Sequence, residues 1–145
     1  RGPSLSSVVR FAAACRCSMP GKMRRVEKRL RTPLISTEEL AGRLSDPDLF
    51  VADCRFELGA PDAGRAAWSV GHIPGAVHVD LERDLSAPVT PASGRHPLPP
   101  PDAFAATLGR LGIGNATRVV CYDGGPGAFA ARLWWMLRWL GHDAA

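Results

Sequence analysis

Short apolar runs alternate along the chain with stretches whose apolar residues recur at helical spacing. Leu49 to Cys54 (LFVADC) and Thr117 to Tyr122 (TRVVCY) are compact runs that suit buried strands. Pro33-Leu34-Ile35 and Gly75 to Leu81 (GAVHVDL) predict shorter ones. Between them, Ser36-Thr37-Glu38-Glu39 has the spacing of a capping box and opens a short helix carrying Leu40 and Leu44, ended by Asp46-Pro47. Asp102 can cap a helix that lines up Phe104, Leu108 and Leu111. A last helix is expected from about Ala128 to Leu140. Residues 56–71, rich in Gly and Asp, read as loop. Residues 86–101 hold six prolines and predict a long irregular excursion over the surface. Strands alternating with helices argue for an α/β domain with a mostly parallel sheet, and no fixed-period repeat competes with that.

Length and charge sharpen the picture. The 145 residues suffice for one domain with a real core. The net charge of +4 is unevenly spread: residues 1–32 carry nine Lys or Arg and only Glu27 against them. Residues 33–145 carry nine Arg and thirteen acids. The basic character therefore belongs to an N-terminal extension, read as disordered, and the mildly acidic body is a poor nucleic-acid binder. Arg10 breaks the apolar patch Val8 to Ala14 and spoils a secretory signal, while an organelle transit peptide fits the composition. A solvated basic tail on a cytoplasmic protein is the preferred reading. Met19 and Met23 leave room for a later start. The most apolar stretch, Ala128 to Gly141, is interrupted by Arg132 and Arg138, so no membrane span is expected. Four cysteines with a single close pair, Cys15-x-Cys17, fit neither a disulfide scaffold nor a zinc site. No metal or cofactor is implied.

The chemically interesting place is the junction VVCYDGGPGAFAARLWW. Open α/β sheets bind ligands at the carboxyl ends of strands, and free N–H groups at a helix N-terminus favour an anion there. The stretch matches neither a P-loop nor a dinucleotide fingerprint, and no lysine follows Lys28. From these residues alone an anion cradle and a plain tight turn are equally good readings. Cys121 lies inside the apolar strand and is expected to be a buried, inert thiol. Cys54 could reach the same rim, with no base identifiable beside it. His72, His78, His96 and His142 show no ligand spacing and read as surface or loop-bracing residues.

Gly71-His72-Ile73-Pro74-Gly75-Ala76 resembles the G-H-I-P-G-A signature of rhodanese-type sulfurtransferases, and Asp53-Cys54-Arg55 resembles their D-x-R. Arg55 to Leu58 (RFEL), Gly94 to Pro99 (GRHPLP), Tyr122-Asp123-Gly124, and Ala131 to Leu137 (ARLWWML) resemble the N-terminal domain of the two-domain thiosulfate and 3-mercaptopyruvate sulfurtransferases. The resemblance covers about residues 34–145. It implies a rhodanese-like open parallel sheet with helices on both faces, which the chain's end leaves without its final strand. It also implies sulfane-sulfur transfer to a thiophilic acceptor, performed by a loop cysteine within a cradle of N–H groups.

At that cysteine's position stands Asp123, so no catalytic residue is expected in this chain. The cradle would be formed by Asp123, Gly124, Gly125 and Gly127. Asp53, Arg55, Gly71, His72, Pro74 and Gly75 are expected to hold the structure, with Asp53 accepting N–H bonds at the rim. The resemblance therefore implies the non-catalytic half of a tandem enzyme, or a fragment of one, whose partner is a C-terminal catalytic domain that handles small sulfur-containing anions. The alternative is a free-standing, inactive rhodanese-like binding module. On the last helix, Ala130, Leu133, Trp134, Leu137 and Leu140 form a stripe for the sheet. Trp135 and Trp139 face the other way and are interface candidates, covered either by a partner domain or by the chain's own loops.

Overall fold

The computed structural model describes residues 33–145; the basic extension, with Cys15 and Cys17, lies outside the described residues. The elements follow in the order α1 (Thr37–Ala41), β1 (Leu49–Asp53), α2 (Ala63–Val70), β2 (Val77–His78), α3 (Pro101–Leu111), β3 (Arg118–Tyr122) and α4 (Ala128–Trp139). The three strands form one parallel sheet in the order β2-β1-β3. Residues Leu49 to Asp53 stand opposite Arg118 to Tyr122 in unbroken register, and Asp53 stands opposite His78 on the other side.

That register sorts the side chains, because successive residues of a strand point to opposite faces. Ala52 and Val119, with Cys54 just past β1, join Phe104 and Leu108 of α3 and Leu133, Met136 and Leu137 of α4 in the main core. Val51 faces the other way, packing with Leu40 of α1, Ala76 and the partly buried Val120 and Tyr122. Helices thus cover both faces of the sheet, as the resemblance implies. On the side of β3 away from β1, Val119 donates its N–H to the Ala144 carbonyl at 2.9 Å.

Several local expectations are corrected. Pro33-Leu34-Ile35 forms no strand; Leu34 is exposed and Ile35 packs beside Leu40. Residues 56–71 are not all loop, since α2 occupies the second half. Gly64 disguised it: a Cβ there would sit 1.9 Å from the Arg55 carbonyl oxygen, so the residue that reads as a breaker is the one that lets the helix approach β1. GAVHVDL pairs only over Val77–His78. Helix α3 is capped at Pro100 with Pro101 in its first turn, so Asp102 lies inside the helix rather than capping it. The Ser36 hydroxyl does accept the Glu39 N–H at 3.1 Å, but Glu39 turns its carboxylate to Arg43. On α4, Met136 is buried in the core while Trp134 is only partly buried.

Candidate functional site

Two groups of residues meet where β1 and β3 end. The first is built on Asp53, the last residue of β1 and wholly buried. Its carboxylate accepts the Arg55 backbone N–H at 3.0 Å and the Arg55 guanidinium through Nε at 3.0 Å and Nη2 at 2.6 Å. It also accepts the Tyr122 hydroxyl at 2.6 Å, from the register partner on β3. Arg55 Nη2 reaches on to the Gly71 carbonyl at 2.7 Å, and the Tyr122 oxygen accepts the Ile73 N–H at 3.3 Å. A buried charge needs such partners. Burial alone would raise the Asp53 carboxyl pKa, but the Arg55 and Tyr122 bonds outweigh it and hold it below the usual carboxylate range. Burial and the same carboxylate push the Tyr122 phenol up. Tyr122 was named from the sequence only within the Tyr122-Asp123-Gly124 resemblance and not as a site residue; its apolar strand gave no sign of the buried acid opposite it.

This clasp positions the GHIPGA loop. The Ala76 N–H donates to the Ile73 carbonyl at 2.8 Å, Pro74 takes the second turn position, and Gly75 has φ +80°. That is type II turn chemistry, in which Pro presets one φ and only Gly adopts the next without strain. Trp68 of α2 donates its indole N–H to the Ala76 carbonyl at 2.9 Å, and its ring stacks on His72, whose Nδ1 meets the Trp68 carbonyl. Gly71, His72, Pro74 and Gly75 therefore form one braced turn leading into β2.

The second group is the loop after β3. Asp123 Oδ1 accepts the N–H groups of Gly125 at 2.9 Å and Gly127 at 3.1 Å. Its Oδ2 accepts those of Phe129 at 3.0 Å and Ala130 at 3.1 Å, in the first turn of α4. The side chain of Asp123 thus occupies a ring of N–H donors supplied by Gly125, Gly127, Phe129 and Ala130, of which only the two glycines were among the expected cradle residues. Gly127, at φ +85°, turns the chain into the helix, and Gly124 lies over the Arg55 side chain. Burial would raise the Asp123 carboxyl pKa, but the four N–H bonds together carry it below the ordinary range. A carboxylate so held is an ionised hydrogen-bond acceptor.

The remaining candidates separate from this site. Cys54 is buried, as a core thiol should be, but Cys121 is only half-buried, because its strand has β1 on one side alone among the described residues. All four histidines brace backbone or pair locally: His78 meets the Arg55 carbonyl, His142 the Thr117 carbonyl, and His96 lies 3.5 Å from Glu82. Arg132, passed over from the sequence, donates to the Leu85 carbonyl at 2.8 Å and the His96 carbonyl at 3.0 Å, tying the proline-rich excursion to α4. Trp135 and Trp139 stay 46% and 42% exposed, their rings stacked at 5.9 Å and 6°. Among the described residues no loop buries them. Among the described residues no cluster could hold a metal ion, and no helix is long and apolar enough to cross a membrane.

A parallel sheet in which β1 ends in a buried acid–arginine clasp and β3 in a carboxylate held by four backbone N–H groups is the frame of this α/β domain. Residues 36–145 match the rhodanese-like domain, and the chain belongs to that family. It is 55% identical over 109 residues to "Probable 3-mercaptopyruvate sulfurtransferase" of Pseudomonas aeruginosa, covering 74% of this chain and 38% of that one. It is 39% identical over 118 residues to the mitochondrial thiosulfate/3-mercaptopyruvate sulfurtransferase 1 of Arabidopsis thaliana, covering 77% of this chain and 29% of that one. The solved 3-mercaptopyruvate sulfurtransferase from Leishmania major superposes with a TM-score of 0.69 at 35% identity, over 76% of this chain and 30% of its own. The chain thus spans less than two fifths of the length of these relatives.

Proposed function

We propose that this chain is the non-catalytic half of a rhodanese-type sulfurtransferase, in which sulfane sulfur passes from thiosulfate or 3-mercaptopyruvate to a thiophilic acceptor on a separate, cysteine-bearing domain. The observation that carries this reading is the Asp123 carboxylate taking all four cradle N–H groups. Sulfane-sulfur transfer needs a nucleophilic sulfur in the cradle. A carboxylate there neither attacks thiosulfate nor tolerates a second anion beside it, and the loop from Asp123 to Gly127 supplies no Arg or Lys to offset its charge. The names of the relatives supply the substrate class.

The stacked Trp135 and Trp139 support a partner surface, since two half-exposed indoles on one helix leave a large apolar area to cover. We assign it to the catalytic domain. In the alternative, a free-standing inactive module, the same surface would hold a different protein. The test is sulfur transfer from thiosulfate and from 3-mercaptopyruvate to cyanide by the purified chain, alone and with a separately purified catalytic rhodanese domain of the Pseudomonas relative. The chain alone should be inactive, and the added domain should quench or shift its tryptophan fluorescence. Robust turnover by the chain alone, abolished by Cys121→Ser, would overturn the reading. Inactivity with no response to the domain favours the module.

A further inference from the structure

Cys54, just past the end of β1, and Cys121, in β3, are brought together on one face of the sheet. Ala52 is the Cα partner of Cys121, and Cys54 follows Ala52 by two residues, so all three point toward α3 and α4. The Cys54 sulfur leans back along its strand, 4.0 Å from the Ala52 carbonyl oxygen, which carries it toward the level of Cys121. The neighbouring Cys121 thiol, followed by burial, pushes the Cys54 thiol well above its ordinary range. The two differ in access: Cys54 is 2% exposed, whereas Cys121 is half-buried. Neither takes part in the Asp53 clasp or in filling the cradle.

We propose that Cys54 and Cys121 form a redox-active pair which hydrogen peroxide converts to an intrachain disulfide, joining the carboxyl ends of β1 and β3. The accessible partner reacts first. The Cys121 sulfur attacks one peroxide oxygen; an S–O bond forms, the O–O bond breaks, and the departing hydroxide leaves as water with the thiol proton. The Cys54 sulfur then attacks the Cys121 sulfenic sulfur. An S–S bond forms, the S–O bond breaks, and the hydroxide leaves as water with the Cys54 proton. Two thiols lose two electrons and two protons, and the peroxide is reduced to water. The Cys54 N–H is tied to the Tyr122 carbonyl at 2.8 Å, so the backbone beside the new bond is already held to β3. Cys54 lies just past the last Cα pair of the ladder, Asp53 with Tyr122, and is a diagonal neighbour of Cys121, so closing the bond draws the end of β1 toward Cys121.

The test uses the full chain with Cys15 and Cys17 replaced by Ser, so that the pair supplies the only thiols. After hydrogen peroxide treatment and alkylation in denaturant, the expected product is a monomer lighter by two hydrogen atoms and carrying no alkyl group. Digestion should yield one peptide pair linking Cys54 to Cys121, separable by dithiothreitol. In Cys54→Ser the Cys121 sulfenic acid should persist and be trapped by dimedone; in Cys121→Ser, Cys54 should stay reduced. The proposal is overturned if both thiols remain alkylatable, if Cys121 advances to sulfinic acid with Cys54 still free, or if the disulfides that form are between chains. None of these outcomes depends on sulfur transfer, so this result and the proposed function stand or fall separately.

Discussion

Replacing Asp123 with Ala tests what the carboxylate does in the cradle. It removes one acceptor from four donors, those of Gly125, Gly127, Phe129 and Ala130. Gly125 is exposed, so water takes over there at little cost. The Phe129 and Ala130 groups are the second and third N–H of α4, and losing an acceptor at such positions costs about 1 kcal/mol, up to about 2. The charge-assisted character of the bonds, and the loss of a negative charge at a helix N-terminus, put the whole at about 2–3 kcal/mol. For a domain of this size that lowers Tm by about 8–12 °C, read by circular dichroism. The emptied cradle should then accept an oxyanion. Sulfate at about 100 times its Kd would restore about 2.7 kcal/mol to the variant. It would leave the parent chain, whose cradle is already filled, unmoved. The reasoning fails if Asp123→Ala melts within about 1 °C of the parent, or if sulfate stabilises the two alike.

Gly64→Ala should destabilise although Ala is the better helix former by about 1 kcal/mol, because the new Cβ would meet the Arg55 carbonyl oxygen at 1.9 Å; a raised Tm would show that α2 moves freely. Tyr122→Phe removes the donor to Asp53 and the acceptor of the Ile73 N–H, and should cost about 1–3 kcal/mol in urea unfolding. Both Asp53 and Asp123 have folded-state pKa values below their unfolded ones. The unfolded chain therefore binds protons first, and their stabilisation, complete above the unfolded value of about 3.9, is lost as pH falls through the folded values. Acid titration of stability should show this loss, and Asp123→Asn should remove part of the slope; an unchanged slope would count against the ionised cradle.

The long apolar runs were legible because nothing else suits them: LFVADC and TRVVCY each became a strand to within a residue. The paired motifs D-x-R and GHIPGA were legible as motifs, but the hydroxyl that joins them, on Tyr122, was hidden by its strand. Helix α2 was illegible for a packing reason, since its Gly64 answers the Arg55 carbonyl on the segment leaving β1 rather than a turn at its own position. Likewise Cys121 looked buried from its apolar neighbours, whereas exposure depends on what lies beside β3. Asp123 was read as a position in the loop and not as an acceptor; that its carboxylate spans both ends of the loop follows only from the backbone path.

The reach of Arg132 bears on the order in which the chain can become structured. One guanidinium grips the Leu85 carbonyl at one end of the excursion and the His96 carbonyl near the other, while the Ala87 N–H and the Pro97 carbonyl close the neck at 2.9 Å. The segment is thus an Ω-loop whose clasp lies on a helix far ahead in sequence. Its prolines forbid a self-contained hydrogen-bond ladder, so beyond that neck much of its closure entropy is met by the Arg132 contacts, which need α4 in place. The excursion is therefore expected to take its final form only after the sheet and its last helix have packed.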